Sequence, residues 1–329
     1  MSDSEGNNKN QVAVLKNNYL AKVSNTLSIT NKLLTEINNR NEVPSDDFRV
    51  AIPDEIFQRY LSEELGIVVN EGTVTYGDVK GVTKIECQGS SIESLEGIEY
   101  FISLIILNCD GNQLTNLDVS KNTALTKLNC VYNQLTNLDV SKNTALTELY
   151  CYVNELTNLD VSKNMALTEL NCHSNQLTNL DVSKNTALTE LVCVNNKLTD
   201  LEVSKNTALT ELHCRENHLT SLDVTKNTAL TMLKCDNNPL TNLDVSKNMD
   251  LIQLSCRENQ LTNLDVTNNM DLIFLWCGEN KLKILDISKN TALKFFYCQN
   301  NQLTILDVSK NTDMVELDYS NNPIINFIE

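Results

Sequence analysis

The chain has 329 residues with only nine glycines and four prolines, a balance that argues against long flexible linkers. Its net charge is −17, and the acidic excess runs throughout, with 9 basic against 13 acidic residues up to position 86 and 17 against 30 beyond it. A field of that sign repels phosphate backbones and excludes nucleic acid as a natural partner, and no apolar run is long enough to cross a membrane.

Residues 1–48 read as an N-terminal tail and helical segment. Positions 1–10 are small and polar; from Val12 to Ile37 apolar residues recur at helical spacing (Val12, Leu15, Tyr19, Val23, Leu27, Leu34, Ile37). Asn41 to Arg49 reads as a linker. Residues 49–101 read as an N-terminal cap that carries a degenerate first repeat. A second helix is expected from Pro53, with Asp54 and Glu55 beside the positive end of its dipole and Ile56, Phe57, Tyr60, Leu61 and Leu65 as its apolar stripe. Gly66 suits its end. Thr73–Tyr76 and Val82–Cys87 are strand-like.

Residues 102–329 are a repeat array. Cysteine returns every 21 residues from Cys109 to Cys298, asparagine stands three residues after each, and Tyr319 takes the last cysteine slot. A fixed period of this size means a solenoid, because one unit cannot bury its apolar face alone. Leu128 and Cys130 are two apart and share one side of a strand; Lys127, Asn129 and Val131 are expected on the other. The pattern L-x-x-L-x-C-x-x-N-x-L resembles the leucine-rich repeat, with cysteine in place of the third leucine. The resemblance implies an α/β solenoid: a right-handed superhelix with a parallel β-sheet on its concave face and a helical N-terminal cap. The order Ile52-Pro53-Asp54-Glu55-Ile56-Phe57, then Val82 to Cys87, then Leu95-Glu96-Gly97-Ile98-Glu99-Tyr100-Phe101, is similar to the N-terminal cap and array of bacterial cell-surface leucine-rich repeat proteins and, more loosely, of the internalins. Such proteins are exported, held at the surface and used for adhesion or recognition. Met1-Ser2-Asp3-Ser4-Glu5-Gly6-Asn7-Asn8 resembles the polar tether that follows the lipidated cysteine of bacterial lipoproteins, which implies a membrane tether through an N-terminal lipid; an ordinary cytosolic N-terminus is the alternative. Pro323 to Glu329 reads as a partial unit without a polar cap.

The eleven cysteines suit packing better than chemistry. All take an inward slot, and parallel side chains make poor disulfide geometry. No zinc spacing appears. The aspartate row (Asp139, Asp160 and their equivalents) reads as turn-building rather than calcium-binding, because aspartate bonds nearby backbone and the glycine-rich calcium repeat is missing. No metal and no cofactor is expected. Three histidines, His173, His213 and His218, with no nucleotide loop or hydrolase elbow, argue against an enzyme.

Function then belongs to the slots that vary. Phe274, Trp276, Phe295 and Tyr297 fall outward on two neighbouring strands and form an aromatic patch of the kind that marks interaction sites. Tyr132, Tyr150 and Tyr152 form a smaller one. Glu148, Glu169, Glu190 and Glu211 stack on consecutive strands, where like charges repel unless a cation meets them. His213, Arg215 and Arg257 complete the candidate partner-binding residues. The expected function is a protein-binding module that grips a protein or peptide on its concave face at a bacterial cell surface or outside the cell. The alternatives are an intracellular effector or scaffold, and a structural spacer with no ligand on that face.

Overall fold

The computed structural model describes residues 43–329; the helix expected between Val12 and Ile37 lies outside the described residues. The chain divides into two compact units, Met1–Phe48 and Arg49–Glu329, and every strand and helix of the described residues lies in the second.

That unit opens on a mixed α/β segment rather than a purely helical one. Strand β1 (Arg49–Ala51) pairs antiparallel with β2 (Thr73–Thr75), and helix α1 (Glu55–Glu63) lies between them. A short helix α2 (Tyr76–Val79) follows. Asp54 sits just outside α1 as its N-cap, not inside the first turn. One carboxylate oxygen accepts from the Ile56 and Phe57 amides, both at 2.9 Å. The other accepts from the Glu93 and Ser94 amides at 2.7 and 3.1 Å, so one side chain both starts the helix and clasps the first coil. Phe57 and Leu61 are buried, with the Phe57 ring 6.2 Å from Phe101. Gly97 has φ +98°, and a Cβ there would lie 2.5 Å from Ile52 Cδ1 and 2.6 Å from the Ala51 carbonyl. Only glycine fits where the array meets β1.

The array winds into a parallel sheet of 12 three-residue strands, one per coil. They are β3 (Lys84–Glu86), β4 (Ile106–Asn108), β5 (Lys127–Asn129), β6 (Glu148–Tyr150), β7 (Glu169–Asn171) and β8 (Glu190–Val192). The series continues with β9 (Glu211–His213), β10 (Met232–Lys234), β11 (Gln253–Ser255), β12 (Phe274–Trp276), β13 (Phe295–Tyr297) and β15 (Glu316–Asp318). In the last two coils β14 (Ile305–Asp307) and β16 (Asn326–Ile328) pair in a separate small parallel sheet. Register is leucine on leucine, as in Leu128↔Leu149 and Leu233↔Leu254, because units of equal length cannot slip. In each coil the leucines, the valine and the cysteine fill the interior: Leu125, Leu128, Cys130, Leu135, Leu138 and Val140 are all buried. All eleven cysteines are free and buried. The Cys130 thiol donates to the Tyr150 carbonyl of the next coil at 3.6 Å, and burial pushes its pKa up to about 12. Such thiols pack and do not react.

Two buried asparagine rows tie coil to coil. Asn217 is typical of the row three residues after the cysteines. Its Nδ2 donates to the Cys193 carbonyl of the preceding coil at 3.0 Å and to the Cys214 and Arg215 carbonyls of its own at 3.2 and 3.1 Å. Its Oδ1 accepts from the Leu198 amide at 3.0 Å. Buried backbone groups that the tight turn would otherwise orphan are thereby paired. The second row, Asn122 to Asn311, was not singled out from the sequence. Asn143 is fully buried, and its Nδ2 donates to the Val119 and Asn122 carbonyls of the preceding coil, both at 2.9 Å. Its Oδ1, like those of the rest of this row, accepts no hydrogen bond among the described residues.

Val131, expected outward, is buried outside the hydrophobic core, and Val192 and Ser255 are also covered by their neighbours. Two residues past each cysteine the backbone turns left-handed, at Gly89 and Gly111 and then at non-glycine residues from Tyr132 to Asn321, with φ between 50° and 57°. The turn swings the chain off the strand direction immediately after the cysteine. Asparagine at four of these positions (Asn195, Asn237, Asn300, Asn321) tolerates it; Val153, β-branched, does not.

Two outcomes follow for stability. Val153→Asn removes that strain and raises the urea midpoint, by the equivalent of about 1 kcal/mol; a lowered midpoint would contradict the assignment. Asn217→Ala leaves a buried amide and at least one carbonyl unpaired and costs about 2–4 kcal/mol, read as a lower urea midpoint. An unchanged midpoint would mean that the row does not hold the coils together.

Candidate functional site

The variable residues gather on the solvent face of the sheet, where each strand shows the residues on either side of its buried leucine. The sequence-predicted residues lie there, but they group differently from the expectation.

Phe274, Trp276, Phe295 and Tyr297 do come together. β12 and β13 set Phe274 against Phe295 and Trp276 against Tyr297 in direct register. The phenylalanine rings stack at 4.9 Å and 6°, Trp276 lies 5.6 Å from Phe274, and Tyr297 lies 6.2 Å from Trp276. All four are half-buried by one another while Leu275 and Phe296 between them fill the core. The stacking fixes the rings as one rigid apolar plate. A bond to Glu316 leads in raising the Tyr297 hydroxyl, which stays protonated.

The expected tyrosine trio splits. Tyr132 meets Tyr152 edge-on at 5.9 Å, and Tyr152 stacks on His173 at 4.2 Å; His173 was not singled out from sequence. Tyr150 belongs instead to an ionic cluster. Its hydroxyl donates to Glu148 at 3.1 Å and to Glu169, and its ring lies 5.1 Å from the Lys127 ammonium. Burial, followed by these two carboxylate bonds, raises its pKa, so it remains a donor. Lys127 bridges to Glu148 at 2.5 Å and holds that carboxyl below its ordinary value.

The four glutamates therefore differ. Glu148 is neutralised, whereas Glu169, Glu190 and Glu211 form no ion pair with a lysine or arginine among the described residues. Burial, then Glu211 and Glu169 on either side, pushes the Glu190 carboxyl up. His213 lies 3.6 Å from Glu211 but is not its counter-ion: burial, then Lys234 and Arg215, lower its pKa to about 4. The imidazole is neutral at physiological pH and sits 3.2 Å from the Met232 sulfur.

Between the glutamates and the aromatic plate lies a notch of about 340 Å³, lined by Arg215, Lys234, Asp236, Ser255, Arg257 and Trp276 among others. Arg215 and Arg257, both sequence candidates, meet here; Lys234, Asp236 and Ser255 were not singled out. Asp236 is satisfied from within, accepting from the Ser255 hydroxyl and from the Arg257 amide at 3.1 Å. The Arg257 guanidinium donates to Glu279 at 3.2 Å. Among the described residues no group of three or more His, Cys, Asp or Glu is placed to hold a metal ion. The aspartate row builds turns, as when Asp139 accepts from the Ser141 amide at 2.8 Å.

No family model and no curated protein matches the sequence. Solved structures do. The functional domain of InlJ from Listeria monocytogenes, described as including a cysteine ladder, is 39% identical with a TM-score of 0.79, over 86% of this chain and 62% of that one. The chain has the leucine-rich repeat fold, and its structural neighbours include internalin-type bacterial proteins. A leucine-rich repeat protein of Leptospira interrogans is 25% identical (TM-score 0.65) over 69% of this chain and 63% of its own. Internalin InlF of L. monocytogenes shares the leucine-rich repeat fold at 22% identity (TM-score 0.67), over 84% of this chain and 97% of its own. The present chain thus spans less than two thirds of the length of the first two.

The buried imidazole yields a pH dependence. Between its ordinary pKa of 6.5 and about 4, His213 takes up a proton in the unfolded chain but not in the folded one, so stability falls as pH falls through that window. Solvent screening of the partly exposed ring reduces the effect to about 1 kcal/mol. Urea midpoints measured from pH 7 to pH 4 should fall less steeply for His213→Gln than for the parent; identical slopes would contradict a desolvated imidazole.

Proposed function

We propose that this protein is a recognition module of the bacterial surface or its surroundings, and that it binds a partner protein on the solvent face of its leucine-rich repeat sheet. The observation that carries this reading is the stacked plate of Phe274, Trp276, Phe295 and Tyr297. Four large rings held outward on a rigid sheet gain nothing for the core, which is filled by the leucines beneath, and they supply the apolar anchor that protein interfaces concentrate in a few residues. The Tyr132–Tyr152–His173 stack is a second, smaller contact region. The likeness to InlJ supports display at a bacterial surface or secretion. Tethering through an N-terminal lipid is part of the proposal, checked by labelling the full-length protein with a radioactive fatty acid in growing cells.

The binding test compares the full chain with a Trp276→Ala, Phe295→Ala double variant. Both are cross-linked to cell-surface extracts, and the captured proteins and the linked residues are identified by mass spectrometry. The expected result is a protein retained by the parent, linked to residues on β9–β13, and reduced at least about tenfold with the variant. Equal capture with links scattered away from the sheet face would overturn the reading.

A further inference from the structure

The sheet face is divided into three chemically unlike zones in a fixed order. On β7–β9, Glu169, Glu190 and Glu211 stand in direct register and lack a basic partner among the described residues. Register places adjacent carboxylates on neighbouring strands about 5 Å apart at their bases, a repulsion that no lysine or arginine among the described residues offsets, although Glu169 accepts from the Tyr150 hydroxyl. Among the described residues, the one lysine or arginine paired with this column is Lys127, at Glu148.

The next zone, on β9–β11, sets cations among carboxylates. Arg215, Lys234 and Arg257 converge on the notch beside Trp276. Arg215 and Lys234 form no ion pair among the described residues. Asp236 and Glu279 are engaged by Ser255 and Arg257, while Glu216 and Glu258 stand exposed on the notch rim. The local field is felt by His213, whose protonated form is disfavoured by Lys234 and Arg215 in addition to burial. In a notch lined by three basic and three acidic side chains, Arg215 and Lys234 are the cations that no ion pair among the described residues takes up. The third zone is the aromatic plate on β12 and β13.

We propose that the face recognises an extended segment of the partner protein running across the strands, in which a basic, an acidic and an apolar side chain follow in that order over the glutamates, the notch and the plate. This rests on the binding reading above and specifies its chemistry. Strand spacing sets the separations. From β8 to the notch centred between β10 and β11 is about 12 Å, and from there to the plate about 10 Å, which an extended chain covers in about four and about three residues respectively. Each zone rejects the wrong neighbour: a segment with its charges interchanged would set like against like at two places.

The test uses two fluorescein-labelled synthetic peptides of identical composition, read by anisotropy on the full-length protein. In one, two lysines, two glutamates and a Trp-Leu pair follow in that order, with a Gly-Ser spacer after the lysines and a single glycine after the glutamates; in the other the lysines and glutamates are interchanged. The first should bind at least about tenfold more tightly, and less so as salt is raised. The advantage should disappear in the Glu169→Gln, Glu190→Gln, Glu211→Gln triple variant and in Arg215→Gln, Lys234→Gln. The triple variant should also show a higher urea midpoint than the parent, since its repulsion is gone, so loss of binding cannot be mistaken for unfolding. Equal binding of the two peptides, or an advantage untouched by either set of substitutions, overturns the proposal. If cross-linked partner is lost with Trp276→Ala, Phe295→Ala but kept by both charge variants, the charge order is wrong and the binding reading stands; if all variants keep it, both fail.

Discussion

A backbone that turns repeatedly within one short coil cannot pair all of its own amides and carbonyls, and several of those groups are buried between coils. The two asparagine rows answer that constraint. Asn217 reaches the Cys193 carbonyl and the Leu198 amide of the coil before it, and Asn227 reaches the Val203 and Asn206 carbonyls. Each carboxamide joins fixed points on two coils, so the unit length cannot drift without breaking buried bonds. Equal length gives leucine-on-leucine register, and that register carries the continuous column of leucine, valine and cysteine. The rows differ in completeness: the first uses donor and acceptor, while the second leaves its Oδ1 without a hydrogen bond, a desolvation cost borne once per coil.

Because the inward slots are spoken for, the outward ones are free to vary without endangering the fold, and the chemistry of the molecule is confined to them. The same register that stacks leucines inside stacks like residues outside. That is how four glutamates come to lie side by side and four aromatic rings come to form one plate. A parallel sheet of identical units is thus a device for placing side chains at fixed spacing along a line, and the order of residues in the sequence becomes the order of surfaces in space. The cost appears where the outward residues conflict with the scaffold: burial and two carboxylate neighbours push the Glu190 carboxyl up, and Val153 adopts a left-handed backbone at φ 53°.

Much of this was legible in the sequence. The period, the leucine and cysteine slots, the first asparagine row and the outward aromatic positions all follow from spacing, because a strand alternates faces and a fixed period fixes register. What could not be read was set by the turns. Asn143 lies in a polar run, Ser-Lys-Asn-Thr, and nothing local distinguishes it from Lys142, which is exposed; its recurrence without a single substitution across the coils was the available signal. Val131 follows a cysteine and looks outward by alternation; neighbouring side chains cover it outside the core, which depends on their reach and not on spacing. The grouping of site residues also depended on side-chain reach. Tyr150 and Tyr152 are two apart and share a face, yet Tyr150 bends to Glu148 and Glu169 and Tyr152 to His173. Asp54 was placed near a helix start, but its bond to the first coil spans 39 residues and has no local signature.

The central claim is that the recurring leucines, valines, cysteines and asparagines are sealed inside the coils, which leaves the irregular sheet face free to carry recognition. Thiol titration of the full-length protein tests it most directly, since all eleven cysteines occupy the sealed column. Without reductant, an aromatic disulfide reagent should label none of them in the native protein and all eleven once guanidinium unfolds it. Labelling in the native state would place thiols at the surface, and a count below eleven after unfolding would reveal disulfides; either result would contradict the account.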